Sequence, residues 1–197
     1  MNLPNKLTML RIILVPFYIF FLLMPAIPHH YLIALIIFCA ASYTDHLDGK
    51  IARKYNLITD FGKFADPLAD KVMITAALAC FVQLGLSDAV TLTIIISREF
   101  MVTAMRLVAS SKGKVVAANI WGKAKTVSQI IAVILVVLLQ YLAELDRMGI
   151  LHFGDSNAVG NAFWLAGNIA LWISALLTVI SGVIYIVQNF EFIRNAK

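Results

Sequence analysis

The sequence predicts an all-α integral membrane protein of six transmembrane helices, with an N-terminal amphipathic interfacial segment and both termini cytoplasmic. Three observations carry that reading. Hydrophobic residues make up 61% of the chain and charged residues only 14%, a balance far from that of soluble domains. The apolar residues come in runs that, with their flanks, reach the roughly 20 residues a helix needs to cross a bilayer. The basic residues fall almost entirely on one side once those runs are strung as successive spans.

The elements follow in order. Residues 1–10, with Pro4, Asn5, Lys6 and Thr8, read as the amphipathic start. A first span covers Ile12 to Ala26; a cleaved signal peptide is the weaker reading, because no small-x-small cleavage site follows. The second span runs from Tyr31 to Lys54, apolar as far as Ala41 and acidic beyond it, and residues 55–59 are the turn. The third spans Asp60 to Leu84, the fourth Asp88 to Ser110, the fifth Ile120 to Leu142 and the sixth Ala162 to Val187. A basic loop opens at Ser111, and a polar loop covers Ala143 to Asn161. No repeat or low-complexity segment interrupts residues 1–197, which read as a single domain.

Counting charges sets the orientation. With a cytoplasmic N-terminus, only Arg147 of the sixteen Lys and Arg residues falls in an outer loop, and Arg98 lies near mid-depth. The reverse orientation inverts the bias, so the acidic stretch and the basic loop face the cytoplasm of a multi-pass cell-membrane protein. The net charge of +5 is scattered between apolar runs, which suits anionic headgroups and argues against nucleic acid as a partner. Cys39 and Cys80 lie inside apolar runs and read as packed thiols. His29, His30, His46 and His152 are read as non-ligands.

The stretch from Tyr43 to Lys71 holds five of the eleven acidic residues: Asp45, Asp48, Asp60, Asp66 and Asp70. At about 100° per residue, Asp48, Gly49 and Ala52 lie within about 60° of Asp45 around the second helix. Gly62, Asp66 and Asp70 stand at successive steps of four on the third, about 40° apart. The short turn makes the helices antiparallel neighbours, so the two acidic faces can meet. Four lipid-facing carboxylates would cost on the order of 10 kcal/mol, so they must line a hydrated cavity. Two divalent cations would cancel their mutual repulsion, and all-oxygen ligation suits Mg²⁺ or Mn²⁺. Paired metals of that kind promote displacement at phosphorus. The small residues leave room for a bulky substrate, and Arg53 can grip a phosphate in bidentate fashion. Asp60 reads differently, as an acid at a helix start. The bland alternative for the whole stretch is polar helix pairing with glycines for close packing.

Asp45-x-x-Asp48-Gly49-x-x-Ala52-Arg53, eight residues, then Gly62-x-x-x-Asp66-x-x-x-Asp70 resembles the signature of the CDP-alcohol phosphotransferase family at all eight fixed positions. The resemblance extends over the whole chain through the six-span layout. It implies that Asp45, Asp48, Asp66 and Asp70 bind two metal ions, and that Asp70 is the base activating the acceptor hydroxyl. It also implies that Gly49, Ala52, Arg53 and Gly62 surround the CDP group, and that the protein is a homodimer.

The acceptor alcohol needs separate residues. Arg98, Arg106, Lys123 and Lys125 gather in the cytoplasmic half and suit an acceptor that carries its own phosphate; choline or ethanolamine would call for aromatics or acids. Lys112 and Lys114 read as ordinary loop charges, and Arg98 has the alternatives of pairing with Glu99 or a headgroup. Leu3-Pro-Asn-x-Leu-Thr-x-x-Arg11, Ser97-Arg-Glu99 and Gly122-Lys-x-Lys-Thr126 are similar to the phosphatidylglycerophosphate-forming branch of that family. The branch condenses CDP-diacylglycerol with glycerol 3-phosphate and releases CMP. This implies that Asn5, Thr8 and Arg11 contact the nucleotide or its pyrophosphate; capping by Thr8 and headgroup snorkelling by Arg11 are the alternatives. The competing functions are transfer to another alcohol, a Mg²⁺-dependent membrane prenyltransferase and a cation transporter. The single compact acidic stretch disfavours the prenyltransferase, and the absence of broken helices or a repeated half disfavours the transporter.

Overall fold

A computed structural model describes residues 3–55, 60–111 and 120–189, but not the side chains at 3–4, 45–55, 60–67, 70 and 110–111. Its elements are six helices: α1 (Leu3–Leu23), α2 (His30–Tyr55), α3 (Asp60–Gln83), α4 (Ala89–Ser111), α5 (Ile120–Arg147) and α6 (Ser156–Gln188). Among the described residues there is no strand. Among the described residues, three helices are long and apolar enough to cross a membrane, over Asn5–Leu23, Ile120–Arg147 and Ser156–Gln188. The apolar parts of α2 and α3 are shorter, His30–Thr44 and Lys71–Gln83, because the acidic stretch occupies the facing ends of both. Arg98, Glu99 and Arg106 interrupt α4 in the same way.

The predicted boundaries shift for identifiable reasons. The amphipathic start and the first span form one helix, α1, unbroken from Leu3 to Leu23. Pro4 stands in the first turn, where a missing N–H costs nothing. Pro16 removes only one interior hydrogen bond. The helix stops short of Ala26 because Met24 precedes Pro25, and a residue before proline is biased away from the helical region. At the other end, the long polar loop shrinks. Asp155 caps α6 by accepting from the Asn157 N–H at 3.0 Å, which starts that helix at Ser156 instead of Ala162. After α5, Gly149 adopts φ +72°, a conformation that suits glycine and ends the chain's helical course.

The packing has two halves joined through α2, α3 and α5. On one side α1 lies against α2 and α3, burying Tyr18, Leu22, Phe38, Leu78 and Phe81. On the other, α6 lies against α5 and α4. Val133, Val136 and Val137 meet Leu171 and Ala175 in that second half of the core. Gly167 permits a close α5–α6 approach: a Cβ there would stand 3.1 Å from Val136 Cγ2. The outward surface is apolar, with Phe17, Phe20, Ile36, Phe100, Leu107, Ile169 and Leu176 all exposed. A soluble protein would not leave so many large apolar residues in water.

Two turns at one end are pinned by side chains. Trp164 Nε1 donates to the Gly85 carbonyl at 2.9 Å and Asn168 Nδ2 to that of Leu86 at 3.1 Å, tying the α3–α4 turn to α6. His30 Nδ1 donates to the Phe21 carbonyl at 3.2 Å, closing the α1–α2 turn.

Candidate functional site

The acidic signature lies on helices, as its spacing requires. Asp45, Asp48, Gly49, Ala52 and Arg53 belong to α2, and Gly62, Asp66 and Asp70 to α3. Asp60 is the first residue of α3, the position at which an acid is favoured by the helix dipole. The side chains of all nine lie outside the described residues.

The surroundings of that stretch are described in detail. In α1, Thr8 is fully buried, and Asn5 and Arg11 nearly so. Arg11 therefore does not snorkel to headgroups. Thr8 is not a cap either, since α1 begins five residues before it. The rings of Tyr18 and Phe38, on antiparallel α1 and α2, stand 5.8 Å apart. Seven residues further along each helix, at about 1.5 Å per residue, Arg11 comes level with Asp45; ten residues along, Thr8 comes level with Asp48. The three polar residues of α1 thus share the layer of the acidic stretch.

The four predicted acceptor-binding cations come together. Arg98, Arg106, Lys123 and Lys125 all line one cavity of about 640 Å³ between α3, α4, α5 and their neighbours. Ile74 and Thr75 form part of its wall on α3. Asp70 and Asp66 occupy the positions four and eight residues before Ile74, and so fall on that same helical face by register. The helical register thus sets these two acidic positions in the turns just before the cavity wall.

The cavity has a buried floor and an open rim. Arg98 and Lys125 are buried, whereas Arg106 and Lys123 are exposed. Arg98 pairs with Glu99 at 3.5 Å, the alternative foreseen for it, yet also donates from Nη2 to Ser181 Oγ at 2.6 Å. Lys125 Nζ donates to Glu99 Oε1 and, at 3.4 Å, to Gln129 Oε1. Gln129 Nε2 in turn donates to Thr178 Oγ1 at 3.2 Å. At the rim, the Arg106 guanidinium sits 5.6 Å from the Tyr185 ring centre, a cation–π distance.

Several residues in and around the cavity were given no role in it by the sequence reading. Lys71 is a fifth cation of the cavity, donating to Thr103 Oγ1. Its signal was a lysine opening an otherwise apolar run directly after Asp70. Glu99 is the single carboxylate among the described lining residues. Gln129, Thr178 and Ser181 gave no signal, because polar residues in apolar helices are informative only once their facing partners are known. Chemically, a floor of two buried, hydrogen-bonded cations and a rim of exposed ones make a site for a compact, multiply charged anion.

The sequence pattern of the CDP-alcohol phosphatidyltransferase family matches residues 1–180. A Bacillus subtilis protein named CDP-diacylglycerol--glycerol-3-phosphate 3-phosphatidyltransferase is 42% identical over 207 residues, covering 100% of this chain and 99% of the relative. A Rickettsia bellii protein of the same name is 34% identical, with 93% of each chain covered. A Haemophilus influenzae protein, again of that name, is 41% identical over 66% of this chain and 72% of its own.

Proposed function

Since the chain belongs to the CDP-alcohol phosphatidyltransferase family, we propose that it transfers the phosphatidyl group of CDP-diacylglycerol to glycerol 3-phosphate, giving phosphatidylglycerophosphate and CMP in phospholipid biosynthesis. The observation that carries the choice of acceptor is the convergence of Arg98, Arg106, Lys123 and Lys125 on one cavity. No aromatic ring lines it among the described residues, which disfavours a quaternary-ammonium alcohol. Relatives aligned over nearly their whole length carry the same reaction in their names.

The chemistry follows from the residues. Asp45, Asp48, Asp66 and Asp70 form an all-carboxylate donor set, which fits Mg²⁺ or Mn²⁺ and not zinc. These four would hold two such ions, and ions bound there would supply charge neutralisation for the donor pyrophosphate. Asp70 takes the proton of the primary hydroxyl of glycerol 3-phosphate. That oxygen bonds to the phosphorus bearing diacylglycerol, and the bond from that phosphorus to the CMP oxygen breaks. Arg53 meets the departing phosphate, while Gly49, Ala52 and Gly62 leave space for the nucleotide. Asn5, Thr8 and Arg11 face the same layer from α1 and serve the nucleotide or pyrophosphate. Arg98, Arg106, Lys123 and Lys125 hold the acceptor's phosphate and so orient its hydroxyl toward the acidic face.

In this reading residues 1–197 are one domain of six spans in the cell membrane, with both termini and the site on the cytoplasmic side and the chain paired as a homodimer. The acyl chains of the donor remain in the bilayer during transfer. Purified protein incubated with CDP-diacylglycerol, Mg²⁺ and a panel of alcohols tests the assignment. Release of CMP is expected with glycerol 3-phosphate and not with inositol, serine or choline. Release with one of the others alone would move the acceptor; no CMP with any alcohol would sink the transferase reading.

A further inference from the structure

We propose that Glu99 is a positioning residue for the acceptor phosphate, its carboxylate drawing Arg98 of α4 and Lys125 of α5 together into one anion-binding fork at the cavity floor. The inference rests on the assignment of that cavity to a phosphate-bearing acceptor.

One oxygen of Glu99 serves both cations: Oε1 accepts from Lys125 Nζ, and from Arg98 Nη1 at 3.5 Å. All three side chains are largely withdrawn from solvent, at 17% exposure for Glu99, 10% for Arg98 and 6% for Lys125. Two like charges repel more strongly as the surroundings lose water. Without a shared counter-ion, the ammonium and guanidinium would be driven apart or out of the floor. With it, both stay directed at the same space.

Further donors of the fork are tied to α5 and α6. Arg98 Nη2 is committed to Ser181 Oγ, and Lys125 reaches Gln129, which is itself held by Thr178. Thr178 and Ser181 are one turn apart on α6 and share a face. Among the described residues, Lys125 thus spends two of its three N–H groups on protein acceptors and keeps one for a ligand. The Glu99 backbone joins the same arrangement, its carbonyl accepting from Thr103 Oγ1 at 2.7 Å. Thr103 in turn accepts from Lys71. Glu99 is therefore linked to cations on α3, α4 and α5 at once. The opposite role, a carboxylate that competes with the substrate for Arg98 and Lys125, makes the opposite kinetic prediction.

The test compares the full-length protein with Glu99→Gln, Glu99→Asp, Lys125→Met and the Glu99→Gln/Lys125→Met pair. The readouts are KM for acceptor, KM for CDP-diacylglycerol, and competitive inhibition by inorganic phosphate. Glu99→Gln is expected to raise the acceptor KM about tenfold and weaken phosphate inhibition in parallel, leaving the donor KM within about twofold. Glu99→Asp recovers part of the loss, and the double variant is no worse than Lys125→Met alone, because both remove the same fork. An unchanged or lowered acceptor KM in Glu99→Gln overturns the proposal, as does full additivity in the double variant. If Glu99→Gln does not fold, Glu99→Asp decides: an intermediate acceptor KM supports the role, an unaltered one overturns it. Should Lys125→Met also leave the acceptor KM unmoved, it is the cavity assignment that fails; silence confined to the Glu99 variants defeats the positioning role alone.

Discussion

Arg98 of α4 lies across Gly182 of α6: a Cβ built on Gly182 would stand 3.1 Å from the arginine Cγ and 3.6 Å from Met101 Cε. Glycine here is a matter of space, since the arginine stem must cross the α6 backbone to reach Ser181. Gly182→Ala asks Arg98 to yield by a few tenths of an ångström, whereas Gly182→Val overpacks the contact at about 1–3 kcal/mol. The expected outcome is a graded rise in acceptor KM, about threefold for Ala and at least about tenfold for Val. Steady-state kinetics against both substrates checks it, and a selective effect on the donor would contradict it.

The rim and floor cations separate by salt. Arg106 and Lys123 are exposed, and exposed charges act over a Debye length of about 8 Å at physiological ionic strength. Arg106→Gln and Lys123→Gln are expected to raise acceptor KM about two- to fivefold in dilute buffer, with the difference from the parent fading in 0.5 M salt. Arg98→Gln is expected to cost more and to be nearly independent of salt, because its guanidinium is buried and hydrogen-bonded. A KM series at several ionic strengths distinguishes them.

A stability prediction comes from the α3–α4 turn. Asp88 accepts from the Thr91 N–H at 2.8 Å and from its hydroxyl at 2.9 Å, capping α4. Those bonds hold its carboxyl below the ordinary aspartate range. A depressed carboxyl contributes stability above its unfolded-state pKa, and that contribution is lost as pH falls through the folded-state value. Asp88→Ala is therefore expected to lose about 1 kcal/mol at neutral pH, with the gap from the parent narrowing below about pH 4. Thermal unfolding in detergent at several pH values measures it.

How far the sequence led can be judged from single residues. Asp45, Asp48, Asp66 and Asp70 were conspicuous because a charge in an apolar helix is expensive enough to need a reason. Lys123 and Lys125 were legible because they open a span. Glu99 was visible, but its role was not: it depends on which faces of α4 and α5 meet, and periodicity within one helix does not report the angle of its neighbour. The burial of Asn5, Thr8 and Arg11 was not legible, because they look interfacial when α1 is taken alone. Only the packing of α1 on both α2 and α3 buries them. The start of α6 was placed late because hydropathy marks where apolar residues begin, while the helix begins at its cap, Asp155.

Asp60 and Asp70 provide the sharpest contrast, being acids of one helix for which different work is proposed. Asp60 is the first residue of α3, and an acid there stabilises the helix by about 1 kcal/mol through capping and the dipole. Asp70 stands one helical turn before Ile74, a residue of the cavity wall, and is proposed as the base. Asp60→Asn should accordingly keep most of the CMP release and lower the melting temperature slightly, if at all. Asp70→Asn should abolish CMP release from CDP-diacylglycerol by a factor of about 10³ or more, since it removes both a base and a metal ligand. The melting temperature of Asp70→Asn should stay near or above that of the parent, because relieving repulsion among clustered carboxylates offsets the lost contacts. Parallel CMP assays and melting curves on the two variants decide the matter: near-normal turnover in Asp70→Asn, or complete loss in Asp60→Asn, would reverse the roles proposed for these two acids of α3.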